Sequence, residues 1–300
     1  VNLSELRYIV ALANERHFGR AASACHVTQP TLSVAVKKLE AELGVPLFER
    51  TSQDVRITPL GTRVVVEAQR ALEAIESVKQ VAQSDRDQLA QPLRIGSIYT
   101  VGPYLLPRLI SGLRRLAPNM PLIVEENYTA KLAERLKQGE LDLIVISLPF
   151  SEPNILTSTL YKESFVTLLP AGHHLAKRKS LRPENLEGET LLMLGAGHCF
   201  RDQVIEACPA CADKAIGTDS AVYTAEGSSL ETIRHMVASG MGLTVFPESA
   251  AKSRLYTERQ LLVRPFVRPT PQRAVALAWR ASFPRPKVID VIREAVKSSR

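Results

Sequence analysis

FGRAASACHVTQPTLSVAVKKLEAELGVPLF, residues 18–48, is the stretch on which the fold turns. Within 19–25 the small residues Ala21, Ala22 and Ala24 let a short helix approach its neighbours closely. His26 and Val27 make a turn, Thr28 is placed to cap the next helix, and Pro30 sits in the first turn, where a missing N–H costs nothing. That helix runs to about Glu42, with Leu32, Val36, Leu39 and Leu43 as its inward stripe, and Gly44 ends it.

Upstream, Leu3, Leu6, Ile9, Val10 and Leu12 recur at helical spacing. The outer face of the capped helix carries Thr31, Ser33, Lys37 and Lys38. Two short helices joined by a tight turn, the second opening on polar residues, resemble a helix-turn-helix whose second member enters a major groove. A small helical bundle with a solvated basic face fits the same pattern. Residues 48–57, with Arg50, Thr51, Ser52 and Arg56, suit a polar wing against a phosphate backbone.

Charge narrows the reading. The chain of 300 residues has a formal charge of +7, yet residues 1–66 hold eight Lys/Arg against six Asp/Glu, and residues 1–88 hold eleven of each. Attraction to nucleic acid must therefore come from a few placed cations and helix N-termini. A hydrophobic content of 45% with 23% charged residues indicates folded protein with room for more than one core. No apolar run of about 20 residues occurs, and Asn2, Glu5 and Arg7 replace a basic-then-apolar leader, so a soluble cytoplasmic protein is expected.

Thr58, Pro59 and Gly61 begin a long helix of about 30 residues, in which Val64, Ala68, Ala71, Ile75, Val78 and Ala82 form a stripe at heptad-like steps. A second copy of the chain is one partner for this stripe, and a dimer would bring two reading helices to paired half-sites on double-stranded DNA. Packing on the same chain is the other. After a polar linker at 85–92 the texture is α/β: strands at 93–98, 122–125, 141–147, 164–169, 190–194, 243–246 and 274–279, and helices at 104–116, 130–138, 230–238 and 286–297. The expected architecture is parallel-sheet lobes with helices on both faces and a ligand cleft between them.

With the motif at 18–48, Glu49, Arg50 and the run ITPLG at 57–61, the chain resembles the LysR-type transcriptional regulators. The resemblance implies a winged helix-turn-helix at 1–58, a dimerising linker helix and hinge at 59–91, and a two-lobed, periplasmic-binding-protein-like regulatory domain at 92–300. The lobes would comprise 92–162 with 268–300, and 163–267. It also implies dimers paired into tetramers, RNA polymerase as a partner and no membrane. Groove reading falls on Thr28, Gln29, Pro30, Thr31 and Ser33, with Gln29 suited to bidentate pairing with adenine. Lys37 and Lys38 fall to phosphates. Many members carry a cation where this chain has Gln53, followed by Asp54, so backbone contact in the wing passes to Arg50 or Arg56.

Residues 197–203, GHCFRDQ, with Cys208 and the run SSLETIRHMVASG at 228–240, are similar to the OxyR-like peroxide-sensing subgroup. That likeness implies a regulator rather than an enzyme, with no cofactor, activating antioxidant-defence genes, with hydrogen peroxide as effector. Cys199 would be oxidised and then pair with Cys208. Thr100, Thr129, His198 and Arg201 would surround the peroxide. His198 and Arg201 beside Cys199, and its place at a helix start, favour a thiolate. Were 199–208 one helix, the two Cα atoms would lie roughly 13 Å apart, beyond the ~7 Å limit for a disulfide, so the segment would have to unwind. Cys25, in a compact helix, reads as a small buried hydrophobe.

Alternatives remain at this point. Cys208-Pro-Ala-Cys211 also has the spacing of thioredoxin-like centres and of half a zinc site, but no second pair completes one, and no metal is assigned. A small anionic metabolite in the inter-lobe cleft is the second reading of the effector, and a thiol-dependent peroxide-reducing enzyme the third.

Overall fold

The computed structural model describes residues 1–50, 55–82, 88–209, 229–252 and 259–298, without the side chains of residues 50, 77 and 79–82. The expected Gln53, Asp54, Thr51, Ser52 and Cys211 lie outside them. Among the described residues no helix is long and apolar enough to cross a membrane.

The head packs α1 (Leu3–Glu15), α2 (Phe18–Ala24) and α3 (Gln29–Leu43) around Ile9, Leu12, Leu32, Val36, Leu39 and Leu47, all fully buried. Each such side chain contributes about 1.5–3 kcal/mol by leaving water. Local signals set the boundaries. Asn2 and Glu5 form a reciprocal capping box on α1, the His17 ring accepts from the N–H groups of Gly19 and Arg20, and Thr28 accepts from Thr31 N–H at 3.4 Å. Leu43, expected inside, is exposed, because Gly44 turns left-handed there (φ 71°) and the last turn of α3 clears the core. Strands β1 (Phe48–Arg50) and β2 (Val55–Ile57) pair antiparallel as a wing.

The long helix α4 (Pro59–Ala82) is capped by Thr58, whose hydroxyl accepts from Gly61 N–H at 2.8 Å. A Cβ on Gly61 would lie 2.1 Å from the Leu47 carbonyl oxygen, so only glycine lets α4 enter against the head. Val64 and Ala68 of the expected stripe pack on the head core of the same chain, whereas Val78 is 68% exposed. One stripe thus changes role along its length: its start closes the head, and at Val78 it lies open.

Strands β3 (Leu93–Ile98), β4 (Leu122–Asn127) and β5 (Leu143–Ser147) are parallel, with α5 (Gly102–Leu116) and α6 (Thr129–Lys137) as crossovers. The all-parallel expectation fails beyond them. Strand β6 (Ile155–Pro170) runs through both lobes, and β9 (Gln272–Arg280) returns antiparallel to both β5 and β6. A chain that crosses between lobes and comes back must alternate direction, hence the mixed sheet. The second lobe pairs the far half of β6 with β7 (Thr244–Pro247) and β8 (Leu261–Pro265). The strand expected at 190–194 is instead a segment, buried from Leu191 to Leu194, that meets its neighbour through an isolated Leu191–Leu243 bridge and a Thr244 hydroxyl donating to the Leu192 carbonyl at 2.7 Å. Helices α7 (Cys199–Ala207), α8 (Leu230–Ala238), the single turn α9 (Glu248–Ala251) and α10 (Pro286–Ser298) complete the described elements. One core gathers β3, β5, β9, α5 and α10; the other gathers the far half of β6, β7, α7 and α8.

Candidate functional site

Helix α7 lies between the two cores. Its first residue, Cys199, is half-buried against the core of the first lobe, while Phe200, Val204 and Cys208 are buried in the core of the second. Nine residues at about 100° each bring Cys208 round to the opposite face from Cys199. Nine rises also put their Cα atoms about 13 Å apart.

Both lobes hold the helix. The Gln203 amide donates to the Ser147 hydroxyl at 2.8 Å and to the Leu148 carbonyl at 3.0 Å, at the end of β5 in the first lobe. Arg201 donates to the Leu194 carbonyl at 3.1 Å, within the second. Cys199 is a free thiol, as is Cys25. Cys208 is disulfide-bonded, to neither of these.

Next to Cys199 in sequence, at His198, three rings meet. Tyr128 lies 4.7 Å from His198 and 5.3 Å from Tyr99, centroid to centroid, and Tyr99 lies 5.9 Å from His198. Each ring residue precedes a residue singled out in the sequence: Thr100, Thr129 and Cys199. The ring cluster therefore gathers loops from the ends of β3 and β4 and the start of α7. Gly197 makes the approach possible, since it is left-handed (φ 91°) and a Cβ there would meet the Tyr128 ring at 3.3 Å. His198 Nε2 and Thr129 Oγ1 are buried without a hydrogen-bond partner among the described residues. Burial pushes the His198 pKa below the ordinary histidine value, which keeps the ring neutral at pH 7.

Behind Thr100 stands Arg273, from β9. Its Nη1 donates to Thr100 Oγ1 at 2.8 Å and its Nη2 to the Thr100 carbonyl at 2.9 Å. The guanidinium pairs with Glu163 at 2.7 Å and lies over the Phe200 ring at 5.2 Å. Glu163 in turn accepts from Ser249 N–H at 3.2 Å. With the Thr100 oxygen already accepting from Arg273, its own proton is available to a small polar guest.

On the head, Thr28, Gln29, Pro30, Thr31, Lys37 and Lys38 are exposed along α3, and Ser33 is half-buried. Lys38 shares its charge with Glu5 at 3.6 Å. Arg56 is exposed on β2, and Arg50 stands opposite Val55 on β1.

Sequence reading missed three residues. Arg273 and Gln203 are described above; the third is Arg280, which pairs with Glu73 of α4 at 2.5 Å and donates to the carbonyls of Leu136 and Leu141. Glu73 also accepts from the Ser282 hydroxyl. This buried cluster fastens α4 to the first lobe, and Arg16 of α1 reaches Glu134 of α6 at 3.4 Å. Partners 55 to 207 residues from these three side chains leave no local pattern to find.

A cavity of ≈ 420 Å³ also opens between the lobes, lined by Tyr104, Arg108, Lys162, Ser164, Ser249 and Lys252 among others; none of Thr100, Thr129, His198 or Cys199 lines it.

Residues 3–62 match the family described as "Bacterial regulatory helix-turn-helix protein, lysR family", and residues 86–300 match "LysR substrate binding domain". The chain is similar to the DNA-binding transcriptional dual regulator OxyR of Escherichia coli K12, 36% identical over 99% of this chain and 95% of that one. Among solved structures, full-length OxyR from Pseudomonas aeruginosa, carrying a cysteine-to-aspartate substitution, is 52% identical with a TM-score of 0.89, covering 99% of this chain and 95% of that one. A hydrogen-peroxide-bound OxyR cysteine variant from Corynebacterium glutamicum is 32% identical with a TM-score of 0.66, covering 99% and 92%.

Proposed function

The chain belongs to the LysR family of bacterial regulators, in its OxyR-like peroxide-sensing branch, and we propose that rearrangement of α7 converts hydrogen peroxide into a transcriptional signal. The protein is a hydrogen-peroxide-sensing transcriptional activator that binds DNA through its head; it is a regulator, not a turnover enzyme.

In the proposed chemistry Cys199 is the attacking thiolate. Its sulfur forms a bond to one peroxide oxygen as the O–O bond breaks, leaving a Cys199 sulfenic acid and hydroxide, which takes a proton to become water. Thr100, Thr129 and neutral His198 orient the peroxide, and Thr100 donates to the departing oxygen, its hydroxyl fixed by Arg273. Arg201 braces the first turn of α7 through the Leu194 carbonyl. The Cys208 thiol then attacks the sulfenic sulfur, forming a Cys199–Cys208 disulfide and releasing a second water. Since Cys208 begins in another disulfide here, a thiol reductant must open that bond first.

The observation that carries this reading is the position of α7 between two cores with its cysteines on opposite faces. A Cys199–Cys208 bond cannot form on the intact helix, so oxidation selects a second packing of the lobes. The clamp from Arg280 to Glu73 gives the first lobe a rigid hold on α4. We assign Gln29 to base reading, with Thr28, Pro30, Thr31 and Ser33 around it and Lys37, Lys38, Arg50 and Arg56 on phosphates. The far end of the α4 stripe, exposed at Val78, is the proposed dimer seam. Homodimers would assemble into a homotetramer over paired half-sites and contact RNA polymerase, all in the cytoplasm.

Peptide mapping after graded peroxide, paired with DNA footprinting, tests the proposal. A Cys199–Cys208 peptide should rise with dose alongside a changed footprint. If Cys199 remains alkylatable at every dose while transcription still responds, the switch lies elsewhere.

A further inference from the structure

We propose that the second lobe carries a binding site for one borderline divalent transition cation, zinc being its representative, built from His173, His174 and Glu189. The ligand atoms of these three residues all lie within 4.8 Å of one another. The Glu189 carboxylate faces both histidines at once: one oxygen lies 2.6 Å from His174 Nε2 and the other 3.3 Å from His173 Nε2. The two imidazoles are stacked, 4.7 Å between centroids with 30° between planes. Among the described residues Glu189 has no lysine or arginine partner, although its side chain is only 20% exposed.

The three side chains stand on pinned backbone. His173 and His174 lead into the 3-10 turn His174–Lys177, anchored by buried Leu175. Glu189 follows the 3-10 turn Pro183–Leu186, anchored by buried Leu186, and its N–H donates to the Leu186 carbonyl at 3.2 Å. Ligands held in this way are brought together by the fold rather than by the ion.

Two nitrogens and a carboxylate match zinc-like ions, which take N and O donors at about 2.0–2.2 Å. Three protein ligands leave a fourth tetrahedral position for water. Calcium and magnesium, which prefer oxygen, are disfavoured. One feature opposes binding: His173 Nδ1 accepts from Leu175 N–H at 3.3 Å, which places the ring proton on Nε2. Ligation through Nε2 moves that proton to Nδ1 and gives up the contact. The contact is long, so its loss weakens the site without abolishing it. His174 faces no such conflict, since its ring is 69% exposed.

The test is calorimetric titration of untagged full-length protein with zinc chloride after blocking thiols with N-ethylmaleimide, so that cysteines cannot bind the ion. The expected result is a single strong equivalent, weakened about tenfold or more in His174→Ala and in Glu189→Gln, with no heat from magnesium. Both substitutions are at or near the surface and leave the lobe core intact. Absence of binding, or equal binding by wild type and both variants, overturns the proposal.

Discussion

Arg273 grips Thr100 at two points, hydroxyl and carbonyl, from a strand 173 residues away. It is also the buried counter-charge of Glu163. Replacing Arg273 by leucine strands that carboxylate and should cost about 3–5 kcal/mol in stability. Arg273→Lys keeps the charge but loses the two-point grip, so it should fold and yet oxidise Cys199 more slowly. Thr100→Val removes the donor itself and should slow sulfenic-acid formation about 10²-fold. Stopped-flow rates for the two variants measure this; wild-type rates in Thr100→Val would remove Thr100 from the chemistry.

Gln203 fastens α7 to the first lobe by two hydrogen bonds, each worth roughly 1 kcal/mol net. The bonds belong to the helical state alone. Gln203→Ala should therefore shift the equilibrium toward the Cys199–Cys208 disulfide by about thirtyfold, as read by redox titration against a glutathione buffer. An unchanged or less stable disulfide would show that the latch does not restrain α7.

His198 has a pKa lowered by burial. Its folded state thus refuses a proton that the unfolded chain accepts near pH 6.5. The sign follows: the unfolded state binds more protons, so stability falls as pH drops below about 6.5 and is restored above it. His198 ring resonances should titrate below that value, and peroxide reactivity should show no His198 inflection between pH 7 and 8. A midpoint at or above 6.5 contradicts the neutral-ring assignment.

Cys208 is in a disulfide that involves neither Cys25 nor Cys199. Cys211, outside the described residues, is the only other cysteine in the sequence. Cys211→Ser should therefore leave Cys208 available, so that the Cys199–Cys208 peptide appears without prior reduction. If this variant still needs the reductant, the competing bond lies between chains, and non-reducing gels will display it.

What the sequence disclosed was what physics keeps local. The caps at Thr28 and Thr58 and the stripe Leu32, Val36, Leu39 announce themselves within a few residues, and α3 follows. The first half of strand β6, ILTSTLYKES at 155–164, escaped because it runs in short apolar and polar blocks along a crossing between lobes and offers neither strict alternation nor a long apolar run. The family resemblance alone pointed to the cysteines, Thr100, Thr129 and His198 as the proposed site. Arg273, Gln203 and Arg280 were not readable, since each acts through a partner that only the tertiary fold supplies. The likeness of Val64 to Val78 in the stripe hid a division of labour, because burial on the head and exposure beyond it leave the same periodicity.

The half-turn that separates the two sulfurs on α7 has a meaning for signal quality. A sensor whose reactive groups sat side by side would close with every stray oxidant, and its output would follow the noise in its surroundings. Under the proposed switch, a false alarm would require two uncommon events to coincide: chemical modification of one residue, and opening of a helix packed against two separate cores. Background oxidation that reversed before the helix opened would then leave no trace in the transcript, and the cell would be spared a response to damage that never came.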